Sequence, residues 1–297
     1  MAAVLPKGEF FVFNSVFKNA INKVLFIVIV FVLVLYPLQA ISAEKLTVEK
    51  QIKILPSIEI SHINDGWINI KYEIKNNKRQ KVIIQKDDTK YTYDLIEGKS
   101  SENFPLQMGE GKYSISIYEN TESNKYRLLS RNNVFVNNEN PYTAFLASVQ
   151  TVGWDSSMPV IQKVKELIND TNTTLDMITI VYKHILDEVS YDYKKMSELN
   201  TTYLPKINEI YNSRTGICYD FASLFAGMLR SIGIPAKLVK GYADNIDGYH
   251  AWNEVYIKET DEWITIDTSF DAQMKKAGKT FKMIKDSGDG YSKLKVY

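Results

Sequence analysis

Arg214-Thr215-Gly216-Ile217-Cys218-Tyr219-Asp220 holds the single cysteine of the 297-residue chain. The pattern that follows is helical. Ala222, Phe225, Leu229 and Ile232 fall four, seven, eleven and fourteen positions after Cys218, along one helix face. Small residues at Ala222, Ala226 and Gly227 suit close packing on a sheet. Gly216 permits a tight turn into this helix, and Gly233-Ile234-Pro235 ends it. Cys218 is therefore expected in the first helical turn, where unpaired backbone N–H groups and the helix dipole favour an anion. Both favour the thiolate, and the same N–H groups suit an oxyanion.

Downstream, Tyr249-His250-Ala251-Trp252-Asn253-Glu254-Val255-Tyr256 alternates as a strand, with His250, Trp252, Glu254 and Tyr256 on one face. Trp263-Ile264-Thr265-Ile266-Asp267 is a second strand, with Trp263, Thr265 and Asp267 on one face. Lys258 to Glu262 supply the hairpin loop between the two strands, and register decides whether His250 and Asp267 meet. A two-residue loop places them opposite each other, and a four-residue loop makes them diagonal neighbours on one face. A five-residue loop separates them unless a bulge intervenes. A lone cysteine is more often an inert buried residue. A Gly-preceded helix start with His and Asp on successive strands tips the reading toward a thiol active site: Cys218 nucleophile, His250 base, Asp267 orienting acid.

These residues resemble the transglutaminase-like superfamily of papain-related thiol enzymes. The resemblance rests on Gly216 to Ala222, on Leu229-Arg230-Ser231-Ile232-Gly233-Ile234-Pro235-Ala236, on Gly241-Tyr242, on His250-Ala251-Trp252-Asn253-Glu254-Val255 and on Trp263 to Thr268; it covers about residues 160–270. It implies the catalytic set Cys218, His250 and Asp267, and an α+β fold with the cysteine helix against an antiparallel sheet. The superfamily includes cross-linkers, peptidases, amide hydrolases and inactive members, so hydrolysis and amine transfer both stay open. The metal sites of its animal members have no counterpart here, because no alternating Asp/Asn run followed by Glu occurs; no metal or other cofactor is expected. Tyr191-Asp192-Tyr193 also resembles a stretch that often precedes the cysteine, and either lines the cleft or packs. Trp252 either shields His250 from water or packs. Asp220 either caps the cysteine helix or pairs with Arg214. The second oxyanion donor is open between a tyrosine hydroxyl and the Gln150 amide.

Upstream, Leu175, Ile178, Val181, Tyr182, Ile185, Leu186 and Val189 follow a helical repeat, with Thr173 as its cap. His184 on this helix reads as a surface or supporting residue. Shorter helices are expected over 158–169 and 204–211. The Lys-rich tail after Phe270 reads as irregular before a strand at 294–297.

Residues 45–137 alternate with period two. Ile68, Ile70, Tyr72 and Ile74 share a face, as do Tyr91, Tyr93 and Leu95, and Tyr113, Ile115 and Ile117. Further strands are expected at 46–54, 81–85, 126–129 and 133–136. Such spacing predicts an Ig-like antiparallel β-sandwich over 44–137, joined by a polar linker at 137–141 to a catalytic domain over 138–297. His62, alone in the sandwich, reads as structural.

Lys7, Lys18 and Lys23 precede an uncharged stretch of thirteen residues, 24–36, and small residues follow up to Ala43. Residues 1–43 read as a signal peptide cut after Ala43 or as a retained membrane anchor. This places the protein outside the cytoplasm, secreted or in the cell envelope. Composition bounds the rest. Hydrophobic residues make up 45% and charged residues 24%, with a net charge of +1. That excludes a disordered chain, and leaves no basic surplus for nucleic acid. One cysteine excludes an internal disulfide and a Cys-rich zinc site. The expectation is an exported Cys-His-Asp enzyme acting on amide bonds of a protein or cell-wall peptide; a non-catalytic peptide-binding module on the same fold is the alternative.

Overall fold

The computed structural model describes residues 56–297, apart from positions 76, 138, 139, 170 and 172. The expected leader (1–43) and the strand expected at 46–54 lie outside the described residues, as does part of the linker at 137–141.

The sandwich half contributes β1 (Ser57–Glu59), β2 (Trp67–Lys71), β3 (Gln80–Lys86), β4 (Thr89–Asp94), β5 (Ser101–Pro105), β6 (Gly111–Glu122) and β7 (Lys125–Val136). They form two antiparallel sheets, in the orders β1-β2-β5 and β4-β3-β6-β7. Period-two alternation turns Ile68, Ile70, Val82, Ile84, Ile115 and Ile117 into one fully buried core. The two strands expected at 126–129 and 133–136 are a single strand, β7. Ile117 pairs with Ser130 and Tyr118 with Leu128, so a one-residue bulge at Leu129 absorbs the change of register. β5 escaped the sequence reading because an acid lies among its buried residues. Glu102 is buried and accepts from Tyr72 Oη (2.6 Å), Ile96 N (3.0 Å), Lys99 Nζ (3.2 Å) and Gln150 Nε2 (3.2 Å).

The remaining elements are α1 (Pro159–Leu167), α2 (Thr174–Glu188), β8 (Ser190–Tyr191), α3 (Tyr193–Ser197), α4 (Ile207–Ser213), β9 (Thr215–Gly216), α5 (Cys218–Ser231), β10 (Ala236–Ala243), β11 (Ile246–Ile257), β12 (Glu262–Ile266), α6 (Thr268–Lys276), β13 (Ile284–Lys285) and β14 (Ser292–Val296). A five-stranded antiparallel sheet runs in the order β13-β12-β11-β10-β14, giving an α+β architecture. α5 packs on this sheet and is buried from Cys218 to Arg230. α2 starts where its cap predicts: Thr173 Oγ1 accepts the Asp176 N–H at 3.1 Å.

The stretch from 268 onward departs from expectation. It opens with helix α6, whose buried residues are Thr268, Ser269, Asp271 and Ala272. Small and polar residues on the buried side leave no apolar repeat to read. β14 lies against β10, and Tyr297 packs on both hydrophobic cores. Arg230, buried in α5, ties these parts together by donating to the Ala147, Ala236 and Tyr297 main-chain oxygens at 2.9–3.0 Å. No helix among the described residues is long and apolar enough to cross a membrane.

Candidate active site

The turn into α5 is held by Asp220. A Cβ at Gly216 would come within 2.7 Å of the Asp220 Cβ, so only glycine fits there. Asp220 Oδ2 accepts the Ile217 N–H at 3.0 Å and pairs with Lys195 Nζ at 2.6 Å, while Oδ1 accepts from Tyr203 Oη. Asp220 is therefore a cap, and its ionic partner is Lys195. Arg214 pairs instead with Glu188 at 2.6 Å. Cys218 opens α5 and is 6% exposed.

β8 and β9 pair in parallel, Tyr191 beside Gly216. This bridge carries the Tyr191 hydroxyl to the cysteine, where it interacts with both the Cys218 backbone N–H and the thiol. Burial, then the Cys218 charge, push the phenol above its ordinary range, so it stays a proton donor. Gln150 is engaged elsewhere: its amide donates to the Asp94 carbonyl (2.7 Å) and to Glu102.

The β11–β12 loop has four residues, 258–261, and not the five expected over 258–262, because Glu262 joins β12 in the closing Ile257–Glu262 pair. The last register pair is Asn253–Ile266. Asp267 follows it directly, on the face of His250 as a diagonal neighbour. His250 Nε2 lies 2.6 Å from Asp267 Oδ2. Nδ1 is then the ring nitrogen left for Cys218, with which the imidazole also interacts. Burial alone would depress the imidazolium. The charge and hydrogen bond of Asp267, with the contact to Cys218, outweigh it and raise the ring to about 10. Burial likewise works against the Asp267 carboxylate, but His250, the Phe270 N–H and the Ser269 hydroxyl hold it below its ordinary value. Ser269 Oγ and the Phe270 N–H donate to Oδ1 and Tyr291 Oη donates to Oδ2, each at 3.0 Å.

Behind Asp267, buried Asp271 bonds Tyr182 Oη (2.8 Å) and Lys285 Nζ. Burial raises its carboxyl to about 6 against the pull of Lys285. Trp252, 1% exposed, lies between the His250 ring (6.2 Å between centroids) and Tyr291 (5.0 Å). It therefore packs, and one of the rings it packs against is the imidazole. Tyr291 gave no signal in the sequence, standing in a tail without periodicity.

The other two histidines belong elsewhere. His184 faces Tyr211 at 5.9 Å, and burial pushes it down. His62 stacks on Trp67 at 3.9 Å and bonds Asp65.

Residues 161–268 match the family described as the transglutaminase-like superfamily. Uncharacterized proteins of Mycobacterium bovis and Mycobacterium tuberculosis are each 33% identical over 86 residues, which is 24% of this chain and 27% of the relative. The match thus spans about a quarter of those relatives' length. Among solved structures, similarity extends to a candidate cysteine protease from Cytophaga hutchinsonii (TM-score 0.42, 14% identity, 76% of this chain and 73% of that one). It extends also to red sea bream transglutaminase (TM-score 0.29, 10% identity, 68% and 47%).

Proposed function

Residues 161–268 being a transglutaminase-like domain, we propose that it works as a thiol enzyme on amide bonds, with Cys218 as nucleophile, His250 as acid and base, and Asp267 as the group that orients and charges the ring. The carrying observation is the 2.6 Å bond from Asp267 to His250 Nε2, which leaves Nδ1 to the thiol. The Cys218 thiolate attacks the amide carbon, and a C–S bond forms. The Cys218 N–H and the Tyr191 hydroxyl take up the oxyanion. As the C–N bond breaks, imidazolium gives its proton to the departing amine, leaving a thioester. Water or an incoming amine then attacks the thioester and passes its proton to His250, and the C–S bond breaks to restore the thiolate. The substrate class proposed is protein or cell-wall peptide, met outside the cytoplasm because of the leader-like residues 1–43.

The test is alkylation of Cys218 by iodoacetamide at pH 6. The wild-type chain should react fast and His250→Ala slowly. Reaction only above about pH 8, indifferent to that substitution, points to the peptide-binding module instead. Incubation with a glutamine-containing protein and a labelled amine separates the two enzyme outcomes: incorporated label means transfer, and ammonia or cleavage alone means hydrolysis.

A further inference from the structure

Lys240 stands apart from the other half-buried lysines around the sheet. Lys195 pairs with Asp220, Lys237 with Glu254 and Lys285 with Asp271. No carboxylate lies within ion-pair distance of Lys240 among the described residues. Its ammonium rests on the ring of Tyr219, 3.3 Å from the centroid, with Tyr297 at 5.6 Å.

Placement makes this orphan cation part of the site. Tyr219 is the residue after Cys218. On the sheet, Lys240 is paired with Ala251, the residue after His250, and on its other side with Lys295. The Lys240 charge interacts with Cys218. Lys295 brings no counter-charge, since its ammonium donates to the Lys90 carbonyl and lies over Tyr91. Tyr242 and Tyr249, about half exposed and edge to face at 5.9 Å, flank Lys240 and His250 along the same two strands.

A ring face returns less than the desolvation of an ammonium costs. Burial accordingly lowers the Lys240 amine to about 8, against the pull of Cys218. An anion supplied from outside would complete the site.

We propose that Lys240 is a specificity-determining residue that receives a carboxylate of the acyl donor, so that the preferred peptides carry a carboxylate beside the attacked amide. This rests on Cys218 being the nucleophile. The exposed tyrosines, in contact with each other, would together line one side of the bound peptide beside that carboxylate.

The experiment compares iodoacetate with iodoacetamide as alkylating agents of Cys218 in the full chain at pH 6.5. Wild type should favour iodoacetate and show saturation with it. Lys240→Met should lower the iodoacetate-to-iodoacetamide rate ratio on the order of tenfold, and Lys240→Arg should restore most of it. Lys240→Gln serves if the methionine variant does not fold. Acetyl-glutamate amide carries only a side-chain carboxylate, and acetyl-glutamine only an α-carboxylate. Protection of Cys218 by either one supports the subsite and identifies its ligand. A ratio indifferent to Lys240, or protection by neither compound, overturns it. A cysteine unreactive toward both reagents removes the nucleophile itself and the subsite with it, a result distinct from an altered ratio.

Discussion

His250 Nε2 and Asp267 Oδ2 are 2.6 Å apart, and the other oxygen of that carboxylate accepts the Phe270 N–H at 3.0 Å. One buried side chain thus charges the imidazole and starts helix α6. The two roles separate by substitution. Asparagine caps helices as well as aspartate does, but carries no charge. Asp267→Asn should slow alkylation of Cys218 at pH 6 by on the order of 10²–10³-fold. Asp267→Ala should do the same and lose about 1 kcal/mol more in urea unfolding. Equal stability of the two variants would refute the capping role.

Stability should follow the same pair through pH. His250 is raised to about 10, from 6.5, so the stability it contributes is fully present below pH 6.5 and is lost as pH rises through 10. Asp267 is lowered from 3.8, so its share is present above that value and is lost as pH falls below it. The stability gap between wild type and His250→Gln should be widest between about pH 4.5 and 6.5 and close by about pH 10. Thermal midpoints across that range measure it, and a gap that widens toward alkaline pH contradicts the ion pair.

Tyr191→Phe removes a hydroxyl at the Cys218 N–H and thiol. Acyl transfer from an activated ester or amide should fall by about 10²-fold. Alkylation, which forms no oxyanion, should fall far less. Equal losses in the two assays would assign Tyr191 to the thiol alone.

Gly241 lies where β10 meets β14. A Cβ there would stand 2.0 Å from the Ser292 carbonyl oxygen and 2.9 Å from the Trp252 ring. Gly241→Ala should therefore push β14 off its neighbour, lose roughly 1–3 kcal/mol, and loosen Tyr291, which bonds Asp267. Denaturant titration gives the first effect and the Cys218 alkylation rate the second. A variant as stable as wild type would show that the strand gives way freely.

Much of this was readable from residue order. The offsets after Cys218 gave the start of α5, because the helix period acts over short distances, whereas the face of Asp267 stayed open until the four-residue loop 258–261 fixed the register. What escaped depended on long-range pairing. Tyr191-Asp192-Tyr193 was marked by resemblance, but whether it lined the cleft or packed stayed open, since Tyr191 reaches the cysteine only through a two-residue parallel bridge; Tyr291 escaped altogether, placed by the lie of a tail with no repeat. α6 escaped because Ser269 and Asp271 are buried by hydrogen bonding where apolar residues would have marked the face. The Asp220 partner, Lys195, stands 25 positions away in α3, and its neighbour in sequence, Arg214, was the local alternative.

β14 and Tyr297 have a consequence for biogenesis. The strand flanks β10, Tyr297 completes both cores, and its main-chain oxygen receives Arg230. A nascent chain must bring residue 297 clear of the ribosome before either half can finish packing. A chain synthesised only as far as Cys218 thus carries an unfinished site, which waits for β14 to arrive.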